Sequence, residues 1–137
     1  MSASIETASP QETWEALASD PDAVLIDVRT TAEWAWVGVP DTSAIGRPVV
    51  YAEWLDVHGE QNERFLAELD EAGVGPRSKA YFLCRSGARS QSAAEAAAGK
   101  VASAVNVSGG FEGPLDSEGH RGAQAGWKVA GLPWRQG

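Results

Sequence analysis

Cysteine is nearly absent from this chain. A single one, Cys84, stands among 137 residues, which excludes an internal disulfide framework and fits a reducing compartment where a free thiol survives. Histidine is almost as scarce. His58 and His120 lie far apart in polar sequence without ligand-type neighbours, so no metal site is expected from them and one thiol. No apolar run approaches the length that spans a bilayer. Met1-Ser2-Ala3-Ser4-Ile5-Glu6 lacks the basic and apolar regions of a secretory leader. Positive charge is short too: 11 Lys and Arg against 19 Asp and Glu leave a net charge of -8, which argues against nucleic acid and anionic membranes as partners. These deficits describe a cytoplasmic protein. Its 43% hydrophobic and 22% charged residues are ordinary for a globular chain, and the length predicts one domain over 1–137 with a real core.

Helical and strand-like segments alternate along the chain, which favours an α/β fold with a largely parallel sheet. Ser9-Pro10-Gln11-Glu12 reads as a capping box with proline at the first helical position, followed by Trp14, Leu17 and Ala18 at helical spacing. Ala23 to Val28 is a short apolar run, read as a buried parallel strand. Thr30-Thr31-Ala32-Glu33 is a second capping box, opening a short helix with Trp34. Ala44 to Val50 is a strand candidate weakened by Gly46 and Pro48. A helix is expected from about Asn62 to Ala72, stopped by Gly73, then a strand over Lys79 to Leu83. A helix over Gln91 to Ala98 and a strand over Val101 to Val107 complete the pattern. Ser108 to Pro114 is glycine-rich and reads as loop, and a short helix around Gln124 to Ala130 is expected near the end.

The lone cysteine opens Cys84-Arg85-Ser86-Gly87-Ala88-Arg89-Ser90. It stands where an apolar strand ends and a helix N-terminus begins. Free N–H groups and the helix dipole at such a junction stabilise a thiolate and attract anions. Inert burial is the common fate of a free cysteine, but the position at a strand's end, before Arg-Ser-Gly, marks Cys84 as a nucleophile. The amides from Arg85 to Ser90, with Ala88 between, are candidates for an anion cradle, and Gly87 permits the positive φ that such a curl demands. Arg85 is read as an anion binder or an ordinary surface arginine and Arg89 as an anion binder or loop brace, because cations at a helix N-terminus are unfavourable unless an anion or carboxylate meets them. Ser86 and Ser90 are read as donors to the sulfur or as helix caps. Within a Debye length of about 8 Å these local charges are expected to outweigh the global negative charge. Asp27 and Arg29 sit at another strand's C-terminal end, with an Arg29–Glu33 pair one helical turn apart as the structural alternative.

The segment order together with Cys84-Arg85-Ser86-Gly87-Ala88-Arg89 resembles a single-domain rhodanese, the thiosulfate sulfurtransferase family. Leu25-Ile26-Asp27-Val28-Arg29-Thr30-Thr31-Ala32-Glu33-Trp34 looks like the family's Asp-Val-Arg segment with its following acid and aromatic. Asn106-Val107-Ser108-Gly109-Gly110-Phe111 looks like its Asn and Gly-Gly turn, and the tail from Gly126 to Trp134 is similar to bacterial members. Val37-Gly38-Val39-Pro40-Asp41 departs from the family by lacking a histidine.

The resemblance implies a rhodanese-like three-layer fold, a mostly parallel sheet of about five strands flanked by helices. It implies a sulfurtransferase moving sulfane sulfur from thiosulfate or a related donor to a thiophilic acceptor through a Cys84 persulfide. Arg85, Ser86, Gly87, Ala88, Arg89 and Ser90 are then the substrate-binding residues. No metal or organic cofactor is implied. The expected partners are a small anionic sulfur donor such as thiosulfate and a protein sulfur donor or acceptor. Two alternatives stand beside it. One is a persulfide relay or interaction module for a protein partner. The other is a phosphatase or arsenate reductase of the same fold, disfavoured because four residues separate Cys84 from Arg89, one fewer than in those loops. Phe111 is expected at the pocket wall or in the core; Trp14, Trp34 and Trp54 fit core faces, and Trp127 and Trp134 are expected to pack the tail over the domain.

Overall fold

The computed structural model describes residues 5–113, 117 and 126–136. The chain runs β1 (Glu6–Ala8), α1 (Pro10–Ser19), β2 (Ala23–Asp27), α2 (Thr31–Trp36), β3 (Val39–Pro40), a 3-10 turn (Ser43–Ile45) and β4 (Val49–Tyr51). It continues with α3 (Phe65–Glu71), β5 (Lys79–Leu83), α4 (Ala88–Ala97), β6 (Ser103–Val107) and β7 (Trp134–Arg135). Five strands form one sheet in the order β1-β6-β5-β2-β4, every neighbouring pair parallel. A two-stranded antiparallel ribbon joins β3 to β7.

Side chains alternate across a strand with period two, so each strand serves two cores. Ile26, Ala80, Phe82 and Cys84 face Phe65 and Leu69 of α3 and Ala93, Ala94 and Ala97 of α4. Leu25, Leu83 and Val107 face Leu17 of α1, together with Phe111 and Trp127. The three buried alanines of α4 let its backbone lie close on β5 and β6. Both expected capping boxes form: Ser9 accepts from the Glu12 N–H and Thr30 from the Glu33 N–H, and each glutamate reaches back to its cap.

Several boundaries differ from the expectation, each for a local reason. The Ala44–Val50 strand keeps only Val49 and Val50 and adds Tyr51, because the chain first closes a 3-10 turn ending at Gly46 with φ 64°. The helix expected from Asn62 begins at Phe65, after Asn62 accepts the Arg64 N–H in a turn. The helix expected from Gln91 starts at Ala88, so the cysteine loop supplies its first turn. At the chain's end, 124 and 125 lie outside the described residues, and 126–131 form turns instead of the expected helix.

Register places the site. Asp27 pairs with Leu83 and with Tyr51, and Phe82 with Asn106. The residues just past these, Arg29, Ala52, Cys84 and Ser108, therefore emerge on one sheet edge, the edge where parallel sheets bind ligands.

Candidate active site

Cys84 follows β5 and is 1% exposed. Its Sγ accepts a hydrogen bond from the Gly87 N–H at 3.0 Å and lies 3.2 Å from Ser90 Oγ. Gly87, at φ 117°, is the N-cap of α4 and supplies no side-chain cap. That conformation turns its N–H back onto the sulfur, which is why glycine stands here. Because α4 opens at Ala88, its first-turn N–H groups have no helical carbonyl behind them, and the positive end of the helix lies at the cysteine loop.

Ser90 does not cap the helix. Buried in the first turn of α4, its hydroxyl meets Gly87 O at 3.1 Å and Asn106 Oδ1 at 2.6 Å as well as the sulfur. Asn106, on β6, donates from Nδ2 to Gly87 O and to Gln91 Oε1, both at 3.1 Å. Ser86 and Ala88 are exposed on the loop's outer side.

Both loop arginines have carboxylate partners. Arg89 makes a two-pronged contact with Glu33 of α2, Nη1 to Oε1 at 2.6 Å and Nη2 to Oε2 at 2.9 Å. Burial pushes the Glu33 carboxyl up, but hydrogen bonds from Arg89 and the Thr30 N–H and the charges of Arg89 and Arg29 outweigh it and bring it down to about 2. The same bonds raise Arg89 above its ordinary value. Arg85, 43% exposed, holds Glu112 through Nε at 3.0 Å. The unfavourable cations at this helix start are thus matched by acids.

Asp27 and Arg29 form a fully buried pair at 2.6 Å, and Arg29 also donates to Gly38 O at 2.8 Å. The Arg29 guanidinium stacks 4.3 Å over Phe111. The alternative Arg29–Glu33 pair does not form. Thr30 is the N-cap of α2, so Arg29 lies outside the helix and the one-turn spacing does not apply to it.

The Gly-Gly turn forms the remaining wall. Phe111 N–H donates to Cys84 O at 2.8 Å, and the Glu112 and Gly113 N–H groups to Arg85 O at 3.0 and 3.1 Å. A Cβ on Gly110 would stand 2.6 Å from Cys84 O and Arg85 O. Trp127 is fully buried and meets Trp14 edge-on; its backbone N–H donates to Gly110 O and its indole N–H to Pro133 O, both at 2.8 Å. Trp134 is 41% exposed and packs edge-on to Phe111. Sequence reading missed the contributions of Asn106, Glu33 and Glu112. Asn106 had one available signal, its place in a motif beside a Gly-Gly turn.

Comparison with known proteins accounts for this arrangement. A family model described as a rhodanese-like domain matches residues 9–115. The chain belongs to the rhodanese-like domain family. This is a sulfurtransferase-type family, and the parallel five-stranded sheet is its fold. The rhodanese-like chain is 53% identical to Rv0390 from M. tuberculosis, whose crystal structure superposes with a TM-score of 0.89 over 98% of this chain and 100% of that one. An uncharacterized protein of Rickettsia conorii is 30% identical over 96% of this chain and 98% of its own length. The polysulfide-sulfur transferase homodimer from Wolinella succinogenes shares the fold at 20% identity, with a TM-score of 0.64 over 97% of this chain and 80% of that one.

Among the described residues no group of three or more His, Cys, Asp and Glu could hold a metal ion, and no helix is long and apolar enough to cross a membrane. His58 lies in an exposed turn; His120 is outside the described residues.

Proposed function

We propose that this rhodanese-like protein is a sulfurtransferase whose carrier is a persulfide on Cys84. The Cys84 thiolate attacks the outer sulfur of thiosulfate, the S–S bond of the donor breaks, and sulfite leaves with the bonding pair. A thiophilic acceptor, cyanide or a thiol, then attacks the terminal sulfur and returns the thiolate, giving ping-pong kinetics. The observation that carries this reading is the Gly87 N–H held 3.0 Å from Sγ at the opening of α4. It sets a donor on the sulfur where an inert core cysteine would have apolar neighbours only. Arg85, Ser86, Gly87, Ala88, Arg89 and Ser90 form the cradle, their backbone serving the transferred sulfur. No cofactor takes part in this scheme, and the single-domain, cytoplasmic reading of the chain is proposed with it.

The arginine pairing favours a second reading of the donor. Glu33 and Glu112 already occupy the two guanidiniums, which leaves less free positive charge for a dianion such as thiosulfate. A polysulfide or a persulfide on a partner protein carries less charge per transferred sulfur. In that case the protein is a relay.

Intact-protein mass spectrometry after incubation with thiosulfate, and separately with polysulfide, tests the proposal, with Cys84→Ser as the control. Gain of one sulfur on the wild type alone, released by cyanide or thiol, is expected. Failure of every donor to load Cys84 would overturn it, and turnover of arsenate or an aryl phosphate would assign the loop to oxyanion chemistry instead.

A further inference from the structure

We propose that Asn106 is a positioning residue that sets the direction of the Ser90 hydroxyl and thereby controls how readily Cys84 ionises. The inference rests on Cys84 being the reacting sulfur.

Every donor direction in this network is fixed from its far end. Gly87 O can only accept, so the Asn106 atom 3.1 Å away is Nδ2. Gln91 gives the same answer independently: its Nε2 is committed to the acceptor-only Glu95 carboxylate, which leaves Oε1 toward Asn106 Nδ2. Asn106 Oδ1 must therefore face Ser90, and at 2.6 Å it claims the one hydrogen that Ser90 Oγ has to give ahead of Gly87 O, the more distant acceptor at 3.1 Å. Ser90 Oγ then meets the sulfur, 3.2 Å away, as an acceptor. That arrangement suits a protonated Cys84, whose S–H points at Ser90.

Ionisation reverses the contact. When the S–H proton leaves to solvent, two acceptors face each other, and the Ser90 hydroxyl must turn its hydrogen to the sulfur. A thiolate is the stronger acceptor, but the turn leaves Asn106 Oδ1, on a partly buried side chain, without its donor. Asn106 thus opposes formation of the free thiolate. Once sulfur is loaded, the inner sulfur is again uncharged and the hydroxyl returns to Asn106. The couple favours the states in which Cys84 is either capped by a proton or carrying sulfur, and disfavours the exposed nucleophile between them. The charged groups around the sulfur, Arg89 with Glu33, Arg85 with Glu112 and Arg29 with Asp27, keep their own partners throughout.

The test is the pH profile of Cys84 alkylation by iodoacetamide in Asn106→Ala, Asn106→Asp, Ser90→Ala and the Asn106→Ala/Ser90→Ala double variant. With Asn106 gone, only the longer contact to Gly87 O competes with the thiolate for the Ser90 hydrogen, so the alkylation midpoint of Asn106→Ala is expected to fall by about half to one pH unit. Asn106→Asp, a stronger and negative acceptor, is expected to move it up. Without Ser90 the effect has no carrier, so adding Asn106→Ala to Ser90→Ala leaves the midpoint where Ser90→Ala put it. Equal downward movement in both Ser90 backgrounds, or movement of Asn106→Ala and Asn106→Asp in the same direction, overturns the proposal. Thermal denaturation separates a variant that does not fold from one with a shifted profile. Alkylation reads the Ser90–Asn106 couple even if no donor loads sulfur, so its failure is distinguishable from failure of the sulfurtransferase reading.

Discussion

Glu33 carries two duties with one carboxylate: it closes the capping box of α2 and it holds the guanidinium of Arg89 beside the nucleophile. Its folded value of about 2 lies below its ordinary 4.5, so it contributes stability that is complete above pH 4.5 and drains away as the pH falls toward 2. Each pH unit of that difference corresponds to about 1.4 kcal/mol, and because solvent screens part of the interaction of this half-buried carboxylate, the contribution is roughly 2–3 kcal/mol at neutral pH. Glu33→Gln is expected to lower neutral stability by that order and to flatten the acid limb of a denaturation-against-pH curve. An unchanged acid limb would show that Glu33 is not the group being titrated. The pair was not legible in the sequence, since 56 positions separate its members. Spacing pointed instead to Arg29 as the partner of Glu33. Cys84 was legible because strand end, Arg-Ser-Gly and alanine-rich helix follow one another within a single stretch of chain. What the local pattern could not carry was the matching of acids to cations across the fold.

At the scale of elements, the strands that were readable are the central ones. β5 appears over the expected Lys79–Leu83, and β2 ends one residue short of the expected Val28. Both are buried on two faces, which imposes a nearly continuous apolar run. β1 escaped notice because Glu6-Thr7-Ala8 is a three-residue edge strand with little to bury. The β3–β7 ribbon, two residues on each side, has no periodicity to read. The turn after β6 was legible as glycine-rich, but not the reason for its glycines. Gly110 sits at φ 64°, with the backbone of Cys84 and Arg85 filling the place of a side chain. Gly110→Ala is expected to destabilise the protein by about 2–3 kcal/mol, because rigid main chain cannot yield as a flexible side chain would. Urea denaturation reads the loss. Sulfur loading of the surviving folded fraction should also fall, since the displaced atoms belong to the nucleophile's own loop. A stable and fully active Gly110→Ala would mean that the two loops are not in close contact.

The whole molecule carries a net charge of -8, and the site offers little free positive charge to offset it, because Arg85 and Arg89 are each held by a carboxylate. The sequence alone suggested local dominance of these arginines; their pairing shifts the balance toward the global field. An anionic donor should therefore be repelled on approach. Its second-order rate constant for loading Cys84 is expected to rise about twofold between roughly 20 and 300 mM salt, as screening weakens that repulsion. Stopped-flow measurement of sulfite release reads it, and a rate that falls with salt would restore the local cations to control. The tie between the three segments around Cys84 has a different kind of consequence. Cys84 and Arg85 are fastened to Phe111, Glu112 and Gly113, and Gly110 to Trp127, through main-chain N–H and C=O groups. Those are atoms that nearly every amino acid brings. The fastening therefore asks for particular residues only at the glycines that let another backbone close in; Cys84, Phe111 and Trp127 are held by chemistry and burial instead. An inserted or deleted residue, by contrast, would slip each donor past its acceptor. Between β6 and the end of the Gly-Gly turn, heredity has to preserve a count of residues as strictly as it preserves the glycines.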